Sequence, residues 1–265
     1  SDNSLDVRVE ALRQIATGWK HEPEILELLK QWVVSDNSLD VRVEALRQIA
    51  TGWKHEPEIL ELLKQWVVSD NSLDVRLEVL RQIATGWKHE VGIFELFTQR
   101  LVSDDSWNVR LEVLRQIVTG WKHEVGILEL FTQRLVSDDS WNVRLEALQQ
   151  IVTVWKDEPR ILELLTQRLV SDDSWNVRLE ALRQIAAGWK HEPGIFELLH
   201  HTTLNDSFQR ENKYQNNPRQ IALEAIVKHY PEHPQTLPLL QDRAENDSDE
   251  QLREWAKKKL QQLEN

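Results

Sequence analysis

Cysteine is absent from the 265 residues, which excludes disulfides, thiolate nucleophiles and cysteine metal sites and makes the cytoplasm the default compartment. Methionine is absent too, even at position 1, so the chain reads as a segment of something longer or as one processed at its start. Glycine and proline number only eight each, too few for the turns of a β-sandwich. No apolar run approaches the ~18 residues of a membrane helix, and no signal peptide opens the sequence. Positive charge is also short. With 32 Lys and Arg against 44 Asp and Glu the net charge is −12, and no basic stripe is present to neutralise phosphates, so nucleic acid is not an expected partner. Catalytic patterns are missing as well. There is no G-x-S-x-G, no H-E-x-x-H and no Walker-type glycine loop, and the carboxylates follow a period instead of gathering in one place. No catalytic, cofactor-binding or metal residue is assigned, and the chain is not read as an enzyme.

What the sequence does have is repetition. Residues 1–34 and 35–68 are identical, and further 34-residue copies begin at Ser69, Ser103, Ser137 and Ser171. From Asn205 the pattern continues in diverged form, with a seven-residue insertion between Asp206 and Arg219 and a partial last copy from Asn246. Each unit reads as two helices. "SLDVRVEALRQIATGW" is the longer, with Ser and Asp before it suited to capping. "KHEP" is a connector whose Pro23 suits a helix's first turn, and "EILELLKQWVV" is the shorter helix. Gly18, replaced by Val154 in the fifth unit, is read as a site of close packing. Wound at ~100° per residue, the longer helix has an apolar arc too wide for one partner, which a stack of hairpins would bury and a lone hairpin would not.

Arg8 projects into that apolar arc, where a guanidinium is costly unless paired. Asp and Arg recur together in every unit, as Asp2/Arg8, Asp36/Arg42, Asp70/Arg76, Asp104/Arg110, Asp138/Arg144, Asp172/Arg178, Asp206/Arg219 and Asp247/Arg253. The last two units have lost most other identities and kept this pair, so it reads as a structural ladder between layers.

The run D-x-S-x-x-V-R-x-E-A-L resembles the second helix of a HEAT repeat, in which such an Asp and Arg form a ladder. The resemblance implies an all-α, right-handed α-solenoid of about eight 34-residue helical hairpins, with the short helix first in each hairpin, so that the chain starts mid-repeat. It is taken as a single array over 1–265, near-identical to residue 204 and diverged over 205–265, with an inserted loop and a C-terminal cap. The final stretch from "NPRQIALEAIVKHYPEHPQ" onward is similar to the C-terminal tails of bacterial NACHT-type signalling ATPases that carry HEAT arrays. That implies a sensor for an ATPase lying outside these residues.

The polar arc of the second helices carries rows formed by Glu10, Arg13, Glu44, Arg47, Glu78, Arg81, Glu112, Arg115, Glu146, Glu180 and Arg183, with Gln149 breaking the arginine row. In HEAT arrays this is the concave face, and these residues are the candidate protein-binding surface, set against a solvated surface whose charges neutralise one another. The tryptophans from Trp19 to Trp189 at unit position 19 are read as core. Arg100, Arg134 and Arg168 precede Trp107, Trp141 and Trp175 by seven residues, which suggests cations over rings. The connector histidines are read as solvated, because layers roughly 8–10 Å apart cannot share one metal, and His200, His201, His229 and His233 form an irregular cluster. Glu211–Asn217 is an exposed loop, functional or merely tolerated.

The function expected is a non-enzymatic, protein-binding scaffold in a larger signalling protein, without membrane contact, whose apolar N-terminal edge can self-associate. Rival readings are a structural or self-assembling array and an engineered repeat protein without a dedicated ligand. A HEAT-fold enzyme such as a DNA glycosylase or chromophore lyase is a further rival, for which no recognisable site is found.

Overall fold

A computed structural model of the chain describes residues 4–263, and every regular element in them is an α-helix. The chain divides into two compact units, residues 1–127 and 128–265. The first unit holds α1 (Leu5–Gly18), α2 (Pro23–Ser35), α3 (Leu39–Gly52), α4 (Pro57–Ser69), α5 (Leu73–Gly86), α6 (Ile93–Ser103) and α7 (Trp107–Trp121). α8 (Ile127–Ser137) starts at the boundary. The second unit continues with α9 (Trp141–Trp155), α10 (Ile161–Ser171), α11 (Trp175–Gly188), α12 (Ile195–Asn205), α13 (Pro218–His229), α14 (Thr236–Asn246) and α15 (Glu250–Leu263). Among the described residues no helix is long and apolar enough to cross a membrane.

Helix starts follow local chemistry, with one correction. The serine before each long helix is the N-cap residue, yet its hydroxyl makes no capping bond. The aspartate two residues earlier does the work instead. Asp36 Oδ1 accepts the Ser38 amide at 2.8 Å, and Asp70 does the same for Ser72 at 2.8 Å. Asp104, Asp138 and Asp172 repeat this side-chain turn. Pro23 and Pro57 open α2 and α4 at the first turn, where a missing N–H costs nothing. Where the connector carries glycine instead, Gly92, Gly126 and Gly194 take φ of 82°, 88° and 83°, a left-handed turn that side chains resist.

Gly18, Gly52, Gly120 and Gly188 are not close-packing sites, and at Gly86 a Cβ would meet only the Lys54 side chain at 3.6 Å, an ordinary contact. A Cβ built on Gly18, Gly52, Gly120 or Gly188 meets nothing within 4 Å, and none of the four has positive φ.

The short helix pairs with the long helix that follows it. α2 packs on α3, α4 on α5 and α6 on α7, and in the second unit α10 packs on α11, α12 on α13 and α14 on α15. The long helices also lie side by side, α1 on α3 on α5 on α7, and separately α9 on α11 on α13. This is an all-α solenoid of stacked hairpins in each unit. Between the two layers sit fully buried Leu29, Leu46, Ile49, Leu63, Leu80 and Ile83, each contributing about 1.5–3 kcal/mol over an exposed side chain. Trp53 and Trp87 are buried, whereas Trp19, in an identical sequence at the N-terminal edge, is 56% exposed. Phe97 meets Trp121 at 5.1 Å between ring centroids, and Phe131 meets Trp155 at 5.6 Å.

Candidate functional site

The aspartate–arginine ladder is present, but its rungs join neighbouring repeats. Sequence spacing pairs each Asp with the Arg that follows it in the same repeat, six residues later except across the insertion; the side-chain pairs instead span 28 residues. Arg8 donates to Asp36, and Arg42 Nη2 donates to both oxygens of Asp70 at 2.8 and 2.6 Å. Arg76 stands 3.9 Å from the Asp104 carboxylate. In the second unit Arg144 grips Asp172 at 3.0 and 2.8 Å, Arg178 grips Asp206 at 2.8 and 3.1 Å, and Arg219 grips Asp247 at 3.0 and 2.9 Å. Towards the Asp of its own repeat the guanidinium addresses the backbone. Arg110 donates to the Asp104 carbonyl at 2.8 Å, Arg144 to that of Asp138 at 2.9 Å and Arg253 to that of Asp247 at 2.5 Å. Each rung therefore closes a helix start and ties it to the next layer. Burial grows along the ladder, from 40% side-chain exposure at Arg8 to 5% at Arg219. Asp2 lies outside the described residues.

Arg100, Arg134 and Arg168 do not sit over the tryptophans. Their guanidinium groups lie 3.8, 3.8 and 3.9 Å from Asp104, Asp138 and Asp172, four residues on, as second cations on the ladder. Arg243 does the same for Asp247 at 3.3 Å. Trp107 and Trp141 are each 40% exposed, while Trp175 packs edge-on against Phe208 at 5.3 Å.

The rows expected on the open arc form a second, inner ladder. Arg13 donates Nε and Nη2 to the two oxygens of Glu44 at 2.8 and 3.0 Å, Arg47 does so to Glu78 at 2.8 and 3.0 Å, and Arg81 to Glu112 at 3.0 and 2.9 Å. Gln48, Gln82 and Gln116 add a bond to the same glutamates. Glu44, Glu78, Glu112 and Glu146 are buried, a correction to the expected open row, while Arg13, Arg47, Arg81, Arg115 and Arg183 are exposed. Glu10 is exposed and takes Gln14, and half-buried Glu180 takes Gln184 at 2.7 Å. The hydrogen bond from Arg13 holds the Glu44 carboxyl below its ordinary value. At Glu78 and Glu112 burial opposes the charge, and the Arg and Gln bonds overcome it, leaving both carboxyls lowered. Reversing these glutamates to lysine would break the stack, so such a change cannot probe binding alone.

Above the inner ladder, α1, α3 and α5 enclose a groove of about 950 Å³. Its walls include Leu5, Val9, Leu39, Val43 and Leu77, with Leu5 and Leu39 37% and 38% exposed. Asp6, Asp40 and Asp74 stand along it at equivalent positions. The sequence reading did not single out these aspartates, because nothing in one repeat's letters shows that they line a groove across three.

The other candidates are structural. Phe196 packs with His233 and Tyr230 at 3.5 and 5.5 Å between centroids and with His200 at 5.9 Å. His229 is lowered by burial and by nearby Lys190 and Lys228. No group of three or more His, Asp or Glu among the described residues is arranged for a metal ion. The insertion is tied down. Arg210 donates to Asp249 at 2.7 Å and to the Gln215 carbonyl, Glu211 N donates to Gln215 Oε1 at 2.8 Å, and Asn217 caps α13 by accepting from the Arg219 amide at 2.9 Å. Tyr214 at its tip is exposed.

A family model described as HEAT repeats matches residues 94–186, 128–210 and 162–261. Among solved structures, that of YibA from Escherichia coli, a structural-genomics target, aligns at a TM-score of 0.52 with 17% identity, covering 98% of this chain and 89% of that one. At this identity the likeness concerns the fold alone. No curated protein sequence matches.

Proposed function

Because the chain belongs to the HEAT-repeat family, we propose that it is a non-enzymatic scaffold that binds another protein along the inner face of its second helices. The observation that carries this reading is the groove over α1, α3 and α5, where exposed leucines lie beside fixed charges. A mixed apolar and charged furrow of this kind suits a polypeptide better than a small rigid ligand. Exposed Arg13, Arg47 and Arg81 with Glu10 form the rim of this groove, and the exposed Arg115 of the first unit and Arg183 of the second continue the row on their own helices. Buried Glu44 and Glu78 set its shape from below, and Glu112, Glu146 and half-buried Glu180 hold the equivalent positions of later repeats. The narrower setting, a sensor for a NACHT-type signalling ATPase, rests on the resemblance of the C-terminal tail, and we keep it as part of the proposal. Self-association through the exposed Leu5, Val7 and Trp19 of α1 belongs with it on the same footing.

The test is site-specific photo-crosslinking in an extract of the source cells. A crosslinking side chain at Leu39 or Leu77 should trap one reproducible protein, and one at exposed Glu61 on the opposite layer should not. Equal or absent trapping from the two layers would overturn the reading.

A further inference from the structure

The inner ladder leaves the groove with charge that nothing neutralises. Arg47 and Arg81 are bound to Glu78 and Glu112, and Arg13 to Glu44, so these side chains cancel in pairs. Asp6, Asp40 and Asp74 have no hydrogen bond or ion pair among the described residues, and all three are exposed. Each sits in the first turn of its helix, at the same position of α1, α3 and α5. The result is a row of three separate negative charges beside an apolar wall.

Spacing decides what can meet such a row. Packed helices lie about 8–10 Å apart, so the three carboxylates cannot share one metal ion, whose oxygen ligands stand at roughly 2.0–2.6 Å. An extended chain in the polyproline II form advances about 3.1 Å per residue with three residues per turn, so every third side chain returns to the same face at about the spacing of the helices. Apolar residues on the adjoining face of such a segment would meet Val9, Val43 and Leu77. The row also ends abruptly. From the fourth repeat the same position holds Asn108, Asn142 and Asn176, and Trp follows Ser where Leu stood before.

Building on the protein-binding reading above, we propose that the groove of the first unit takes an extended, basic segment of the partner, with Lys or Arg at every third residue. The asparagines of the later repeats show that an uncharged side chain of the same shape is accepted at this helix position, which supplies the test.

Fluorescent peptides are titrated into the full chain and followed by anisotropy. One has lysine at every third position with leucine between, a second has the same composition with its lysines contiguous, and a third carries glutamate for lysine. The spaced peptide should bind at least about tenfold tighter than the contiguous one and weaken with added salt, and the glutamate peptide should not bind. D6N/D40N/D74N should lose roughly tenfold or more, as three exposed ion pairs allow, and Asp40→Asn alone should lose part of that. Unchanged melting of the triple variant would show its fold intact. Equal affinity for the two lysine peptides, or for wild type and the triple variant, would overturn the proposal. If no peptide binds while Leu39 still crosslinks a protein, the basic segment falls and the scaffold stands. If both fail, both readings fall.

Discussion

At the residue scale the two ladders differ in how much each charge depends on its partner. Asp172 and Asp247 each face two arginines, Arg144 with Arg168 and Arg219 with Arg243. Asp206 pairs with Arg178 and has no second arginine on its carboxylate among the described residues, because Thr202 stands where the third to fifth repeats place Arg100, Arg134 and Arg168. Arg178→Met should therefore strand a carboxylate with 3% side-chain exposure and cost about 3–5 kcal/mol, visible in thermal or urea unfolding. Arg178→Met with Asp206→Asn should recover much of the loss, because the amide still accepts from Phe208 N while the buried charge is gone. A loss typical of a surface change would mean that the rung carries no weight. Arg110→Met is a weaker probe of Asp104 than spacing implies, since Arg76 and Arg100 face that carboxylate and Arg110 holds its carbonyl. The inner ladder couples stability to pH. Glu44, Glu78 and Glu112 are lowered from an ordinary value of 4.5, so their stabilisation is complete above that value and is lost as pH falls through the folded-state values. Arg47→Gln should be less stable than wild type at neutral pH, with the deficit shrinking in acid as Glu78 is protonated in both. A deficit that stays constant from roughly pH 7 to pH 3 would sink this account.

At the scale of the element, the helices and their order were legible, because period, capping letters and the wide apolar arc all agree. The partners of the ladder residues were not. In a strict 34-residue comb, an Arg six places after one Asp is also 28 places before the next, and the letters cannot distinguish the two. The same degeneracy hid the inner ladder, where Glu and Arg three apart on one helix are also 31 apart on neighbours. Burial settles it. A guanidinium inside the stack reaches the aspartate of the adjacent layer, and the exposed Arg13, Arg47 and Arg81 reach across to the next long helix, where the glutamates are drawn inward from a face that sequence alone makes solvent. The glycines show the opposite error. Close packing was read at Gly52, yet the position is open, and the glycines that the backbone requires are Gly92, Gly126 and Gly194 in the connectors. Gly52→Ala should therefore stabilise by about 0.4–1 kcal/mol through a less flexible unfolded chain, whereas Gly92→Ala, at φ 82°, should destabilise. Melting of the two variants checks both signs, and a destabilised Gly52→Ala would restore the packing reading.

For the whole molecule, the repeats turn an internal surface into an external one at the N-terminal edge. α1 and α3 are the same fourteen residues, and what separates exposed Trp19 from buried Trp53 is the hairpin layer set before the second and not the first. The other end is built differently. α15 buries Leu252 and Ala256 while turning Lys257 and Lys258 to solvent, and it packs on α14 with its buried Leu239, Leu240 and Ala244. Deleting residues 1–34 should leave a chain that starts on the same sequence and bares the same edge, since residues 35–68 repeat it letter for letter. Such a deletion should lower stability by one layer without adding a new kind of exposed surface. Deleting residues 250–265 removes fewer than half as many residues but opens an apolar face that no repeat was shaped to expose. Binding of a hydrophobic dye to the two shortened proteins should separate the cases, nearly unchanged in the first and strongly raised in the second. A similar rise in both would mean that the N-terminal hairpin seals a surface that its identical successor cannot replace, and that the edge depends on something besides its sequence.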